Sequence, residues 1–298
     1  MGDSLFELLQ PARLTAVVDI GANPIDGEPP YKRMLQAGLC TVCGFEPQAD
    51  ALAKLARQKG SLERYLPAAI GDGRYHTLHV CRARGMTSLL TPDRSQLALF
   101  NEFTEFGHVE AEFRIPTKRL DDVEEITAMD LLKIDVQGGE LEVFHSGTNK
   151  LAKAVAVQTE VSFVGLYKNQ PTLGAVDSAL RELGFVPHCF AEIKRWPIAP
   201  LVIGGDARRP LRQVLEADLV YVRDFARPDA MDGEQWKHLA LVAHHCYDSF
   251  DLALHAIGQA TRLGALPATA VAQYLEILQA DAERETQRLE PDEASSVA

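Results

Sequence analysis

Five apolar runs in this chain each stop at an acid or a glycine. Ala16-Val17-Val18 leads into Asp19-Ile20-Gly21-Ala22-Asn23, and Thr41 to Phe45 leads into Glu46. Leu66 to Ile70 leads into Gly71, Leu131 to Ile134 into Asp135, and Ala154 to Thr159 into Glu160. Carboxylates at such ends accept hydrogen bonds from hydroxyl and ammonium groups and can take up a proton. Glycine adopts positive φ and lets a ligand approach the backbone. The residues that could carry chemistry are therefore Asp19, Gly21, Asn23, Glu46, Asp135 and Glu160. Lys133 joins them, because it alternates with Asp135 along its strand and can share its face.

The elements that must position these residues follow from the same runs. Val17, Val18 and Ile20 are β-branched and suit a strand covered on both faces. Helical stretches separate several of the runs. Ala49 to Lys59 places Leu52, Leu55 and Ala56 at helical spacing and stops at Gly60, and Pro171 to Leu183 stops at Gly184. Strands alternating with helices predict a doubly wound parallel sheet, in which ligands bind beyond the carboxyl ends of the strands. A short helix is expected from Asp3 to Gln10, with Asp3 or Ser4 as its cap and Pro11 as its stop, and another from Tyr31 to Ala37. Tyr75 to Cys81 and His108 to Ile115 read as antiparallel strands. Arg82 to Phe106 reads as an excursion over the rim, and Arg119 to Asp122 as a short helix or turn. Phe185 to Phe190 returns to the sheet, Ile193 to Leu201 is expected to pair with it, and Ala217 to Val222 is the last strand.

The ligand class follows from charge. Glu46 lies 25 positions beyond Gly21, where nucleotide-binding sheets place an acid on the ribose hydroxyls. A dinucleotide fold would also need Gly-x-Gly-x-x-Gly to admit a pyrophosphate. Here Asn23 occupies the second glycine position, and Asp19, Asp26 and Glu28 surround the bend. Those charges repel a pyrophosphate and suit a cation. S-adenosylmethionine, with its sulfonium, ammonium and ribose, fits that requirement, and methyl transfer asks mainly for alignment and loss of a proton from the nucleophile.

Several segments carry a resemblance, in order along roughly residues 15 to 200. They are Val18 to Asn23, Phe45-Glu46-Pro47, Ala68-Ala69-Ile70-Gly71, Thr87-Ser88-Leu89-Leu90, Arg119-Leu120-Asp121-Asp122 and Leu132 to Glu140, of which Lys133 to Glu140 is the most specific. The chain resembles the FkbM-type S-adenosylmethionine-dependent methyltransferase family. That resemblance implies a Rossmann-like class I methyltransferase sheet, seven-stranded and mostly parallel, with the last strand pair antiparallel. It implies transfer of a methyl group to a hydroxyl of a sugar, glycan or secondary metabolite. Carried over by position, Asp19, Gly21 and Asn23 would hold the methionine part and Glu46 the ribose. Ala69 and Ile70 would flank the adenine, and Asp135 would lie beside the transferable methyl. Two positions depart from the family pattern. Gln137 stands where Glu is common, and the glycine expected soon after Asn23 is displaced to Gly27. For catalysis, Asp135 ranks first as base or orienter of the acceptor hydroxyl, Glu160 second, and Lys133 is the cation that could lower a carboxylate pKa.

Composition bounds the remainder. The net charge of -12 gives no general attraction to nucleic acid or anionic membrane. No apolar stretch reaches the roughly 18 residues of a membrane span. The acidic N-terminus does not read as a signal peptide, which makes the cytoplasm the expected location. Cys40 and Cys43 lie three apart on a strand, facing opposite sides, and His238, His244 and His245 lack a third ligand, so no metal site is expected. From Gly233 the pattern becomes helical. Trp236, Leu239, Ala240, Val242 and Ala243 trace one face, and further helices are expected over Phe250 to Arg262 and Pro267 to Glu283. The expected organisation is a methyltransferase domain over 1–227, a helical appendage over 228–284 that covers the sheet or mediates a homodimer, and a disordered tail over 285–298. Two other readings share these residues. One is a nucleotide-sugar or dinucleotide-dependent enzyme on a similar sheet, the other an inactive methyltransferase fold serving as a binding module.

Overall fold

A computed structural model describes residues 4–23 and 27–289. The expected cap at Asp3, the bend at Pro24 to Asp26 and the end of the tail lie outside the described residues. Ser4–Leu9 forms α1 and Thr15–Ile20 forms β1, followed by α2 (Lys32–Gln36), β2 (Cys40–Phe45), α3 (Ala49–Gln58) and β3 (Glu63–Leu66). Next come β4 (Ala69–Ile70), β5 (Tyr75–Cys81), the short helices α4 (Arg94–Leu97) and α5 (Phe103–Phe106), and β6 (Val109–Lys118). The chain then runs through β7 (Leu131–Ile134), α6 (Glu140–Ser146), α7 (Thr148–Leu151), β8 (Ala156–Ser162), α8 (Leu173–Glu182), β9 (Phe185–Arg195) and β10 (Val214–Arg223). It closes with α9 (Gly233–Tyr247), α10 (Phe250–Arg262) and α11 (Ala270–Leu289).

The main sheet has seven strands in the order β3-β2-β1-β7-β8-β10-β9. The β3-β2-β1-β7-β8 pairs are parallel, and β10 runs antiparallel to both of its neighbours. Strand order reverses between β1 and β7, which is where a doubly wound sheet opens a crevice. Cys40 packs into the core on one face of the sheet, whereas Cys43 packs against the other, as strand alternation requires.

Three expectations change. Leu66 to Ile70 is not one strand. Pro67 has no N–H to continue the ladder, so β3 ends at Leu66, and Ala69–Ile70 pairs instead with Thr117 and Lys118 in a second, three-stranded sheet. Ile193 to Leu201 does not form a hairpin with Phe185 to Phe190. The two run on as β9, whose partner is β10, with bulges that absorb the register. The helix expected over Pro267 to Glu283 starts at Ala270 and continues to Leu289.

Helices cover both faces. On one, Val143, Phe144, Val176 and Leu180 of α6 and α8 pack on Val18, Ile20 and Leu132. On the other, Val17, Val42, Leu131 and Val220 meet α1, α2, α9, α10 and α11. α9 begins in a capping box between Asp232 and Gln235. Its residues Trp236 to Ala243 are buried without a break, so the helix is enclosed on every side and is not merely striped. His238 belongs to this core, with Nδ1 3.1 Å from the Thr15 hydroxyl. Burial there lowers its pKa.

Trp236 is fully buried. Replacing it by Ala is expected to cost about 3–5 kcal/mol, read as a lower urea midpoint with an unchanged slope. Truncation after Arg227 would uncover the Val17, Val42 and Val220 face. The shortened chain is expected to aggregate, as monitored by light scattering and circular dichroism.

Candidate active site

A cavity of about 500 Å³ opens at the carboxyl ends of β1, β2 and β7. Asp19, Gly21, Asn23, Glu46, Ala69, Ile70, Lys133 and Asp135 all line it. Glu160 does not. It lies behind the wall, buried, and connects to the cavity through Gln137.

Gly21 lets the two central strands converge. Its φ is +80°, and a Cβ there would fall 1.9 Å from the Asp135 carbonyl oxygen. No side chain fits at that distance. Asp135 N donates to the Ile20 carbonyl at 3.0 Å, which extends the β1–β7 ladder to the rim.

A polar row crosses the sheet next to this point. Asp19 stands in register with Lys133, and Lys133 with Gln158. The Lys133 ammonium lies 3.7 Å from Asp19 Oδ1, and the Tyr31 hydroxyl donates to Asp19 Oδ2 at 2.5 Å. Gln158 Nε2 donates to Asp218 Oδ2 at 2.8 Å, and the Tyr247 hydroxyl donates to Gln158 Oε1 at 3.2 Å. Burial raises the Asp19 pKa, opposed by Lys133 and the Tyr31 bond. Burial alone would depress the Lys133 pKa, but Asp19, Asp135, Asp218 and Glu160 outweigh it and raise it.

Gln137 forms a second knot. Its φ of +56° is unusual for a side-chain-bearing residue, and Gly138 follows with φ +100°. The reversal brings the Val136 and Gly138 N–H groups onto Glu140 Oε1, at 3.0 and 3.2 Å. Burial pushes the Glu140 carboxyl up to about 7. The Gln137 amide nitrogen donates to Asp135 Oδ1 at 2.8 Å and to Glu160 Oε1 at 3.1 Å. Its amide oxygen accepts from the Tyr167 hydroxyl at 3.0 Å, and its carbonyl accepts from the Ser88 hydroxyl at 2.7 Å. Burial, then Asp135 and Glu216, raise the Glu160 pKa, while Lys194 at 3.9 Å opposes them.

Glu46 accepts the Gln48 N–H at 2.7 Å through Oε1. Burial pushes its carboxyl up to about 7, partly offset by that bond. Tyr31, Ser88, Gln158, Asp218, Tyr167 and Tyr247 were assigned no role from the sequence. Gln158 and Asp218 did carry a signal, as polar residues inside otherwise apolar strands. Tyr31 and Tyr247 carried none, because their positions depend on how α2 and α9 pack.

The sheet order, the crevice at its reversal and the acid-lined cavity there define a Rossmann-like methyltransferase fold. The Methyltransferase FkbM domain matches residues 19–187. The chain belongs to the FkbM methyltransferase family. It is 29% identical over 169 residues to the 2-O-methyltransferase NoeI of Sinorhizobium fredii (strain NBRC 101917 / NGR234), across 54% of this chain and 68% of that protein. Among solved structures it is similar to the magnesium protoporphyrin IX methyltransferase ChlM of Synechocystis PCC 6803 with bound SAM, at 10% identity and a TM-score of 0.36 over 70% of each chain. It is also similar to a precorrin-6y C5,15-methyltransferase of Geobacter metallireducens GS-15, at 11% identity and a TM-score of 0.34 over 74% of this chain and 85% of that one. No helix of the described residues is long and apolar enough to cross a membrane.

Gly21→Ala is expected to abolish binding in this cavity and to lower the melting temperature, measured by differential scanning fluorimetry. Glu46 has a folded pKa above its ordinary value of 4.5. Its contribution to stability is therefore complete below about pH 4.5 and lost as pH rises to about 7. Glu46→Gln is expected to raise the melting temperature of the unliganded protein more at pH 8 than at pH 5. Equal gains at both values would contradict the assignment.

Proposed function

We propose that the chain is an S-adenosylmethionine-dependent O-methyltransferase acting on a hydroxyl of a sugar, glycan or secondary metabolite. The observation that carries this reading is the charge of the cavity. Among the described residues seven acidic side chains line it against three basic ones. Buried carboxylates repel a phosphate-bearing cofactor and favour a cation. The residues present fit such a group, since Asp19 Oδ1 is buried and accepts no hydrogen bond among the described residues. That the Sinorhizobium relative is a 2-O-methyltransferase supports a hydroxyl oxygen as the site of transfer.

When bound, the cofactor supplies an electrophilic methyl on a positively charged sulfur. Asp19, Gly21 and Asn23 would hold its methionine part, Glu46 its ribose hydroxyls, and Ala69 and Ile70 its adenine. Transfer of that methyl to the acceptor oxygen would leave neutral S-adenosylhomocysteine and a proton to be taken up. Asp135 takes the hydroxyl proton. Gln137 positions Asp135 from one side, and Glu160 acts through that amide. Lys133 opposes the rise that burial imposes on the Asp19 pKa.

Differential scanning fluorimetry with S-adenosylhomocysteine, NAD and UDP-glucose tests the cofactor. A ligand at a hundred times its dissociation constant stabilises by about 2.7 kcal/mol. That shift is expected for S-adenosylhomocysteine alone. Stabilisation by NAD or UDP-glucose instead would overturn the proposal. Asp135→Asn is expected to reduce kcat by about 10²-fold or more while S-adenosylhomocysteine still binds.

A further inference from the structure

A second cleft, of about 850 Å³, adjoins the first. The two have Asn23, Gln48, Arg84, Gly85, Gln137 and Lys194 in common, so the amide that holds Asp135 is part of their shared wall. The charge balance reverses across that wall. Lys54, Arg84, Lys194, Arg195 and Arg208 line the second cleft, against only Asp50 and Glu216 among the described residues. Such a cluster runs against the chain's net charge of -12.

The cleft also has an aromatic wall. Trp196 meets Phe103 edge-on with centroids 4.9 Å apart, and the Arg208 guanidinium lies 5.2 Å over the Phe106 ring and 5.9 Å over Trp196. Not every cation is available. Lys194 pairs with Glu216 at 3.0 Å, and Arg208 pairs with Glu102 at 2.5 Å. Arg84 and Arg195 are exposed and make no ion pair among the described residues. Guanidinium groups left in that state match the fork geometry of carboxylate or phosphate.

We propose that this second cleft holds the methyl acceptor and that the acceptor is an anion. Its class is a hydroxylated carbohydrate bearing a phosphate or a carboxylate. The charged group faces Arg84 and Arg195, and the apolar face of the ring lies against the aromatic wall. This rests on the reading of the first cavity as the donor site. Opposite charge then keeps donor and acceptor from exchanging places, and their meeting point is the wall at Gln137, beside Asp135.

Isothermal titration of the full chain with glucose 6-phosphate, glucuronate and glucose, with and without S-adenosylhomocysteine, tests the inference. At least one anion is expected to bind tenfold or more tightly than glucose, and which one it is separates phosphate from carboxylate. Arg195→Gln is expected to reduce that preference fivefold or more while glucose and S-adenosylhomocysteine affinities stay within twofold. Circular dichroism checks that the exposed substitution leaves the fold intact. Absence of an anion preference overturns the inference, as does failure of all three sugars to bind. So does a preference that persists in the Arg84→Gln/Arg195→Gln double variant. The S-adenosylhomocysteine titration reports on the donor cavity separately: its failure with the anion preference intact would overturn the donor reading and the methyl-acceptor role with it, leaving the cleft an anion site only.

Discussion

The site depends on one buried ammonium. Lys133 lies at the sheet's reversal point with Asp19 beside it, and the carboxylates of Asp135, Asp218 and Glu160 raise its pKa against the effect of burial. Several carboxylates cannot remain charged in one low-dielectric pocket without such a counter-ion. The parallel register supplies it. Asp19 and Lys133 are direct cross-strand neighbours, so no loop needs to be ordered to bring them together.

Gln137 solves the same electrostatic problem in another way. Asp135 and Glu160 both approach its amide nitrogen. A neutral donor between two carboxyl groups stabilises both, whereas a third carboxylate would add repulsion. A neutral Gln at this position is therefore consistent with its surroundings. The Ser88 hydroxyl donates to the carbonyl of this left-handed residue and the Tyr167 hydroxyl to its side-chain amide oxygen, so groups from separate parts of the chain hold it. In this way the excursion between β5 and β6 is tied to the strand that carries Asp135.

The C-terminal helices contribute more than cover. α9 fills the core with Trp236 and Leu239 and ends at the cavity, where Tyr247 bonds to Gln158 and Asp248 pairs with Arg33 at 2.9 Å. One helix thus links the packing of a sheet face to the polar row beside the site. A change in its packing would be felt at Gln158 and Asp218, which are far from it in sequence.

Much of this molecule was legible in the residues. Apolar runs ending in Asp19, Glu46 and Asp135 identify strands and their rim, because a buried parallel strand needs an unbroken apolar stretch and polar groups collect where it stops. The end of α8 at Gly184, which takes φ +84°, follows from local backbone chemistry, whereas α3 ends at Gln58 on an extended Lys59 and Gly60 does not take the left-handed conformation. Tertiary structure decided the rest. Only the pairing of β1 with β7 makes Gly21 a steric requirement, since the obstacle is a carbonyl more than a hundred residues away. Pro67 breaks a run that reads as continuous, because the ladder partner on each side of it is different. Glu160 reads as a rim residue, but it is buried and meets the cavity only through the Gln137 amide. Side-chain placement of that kind depends on long-range packing, whereas local sequence specifies only backbone preference and which residues are apolar.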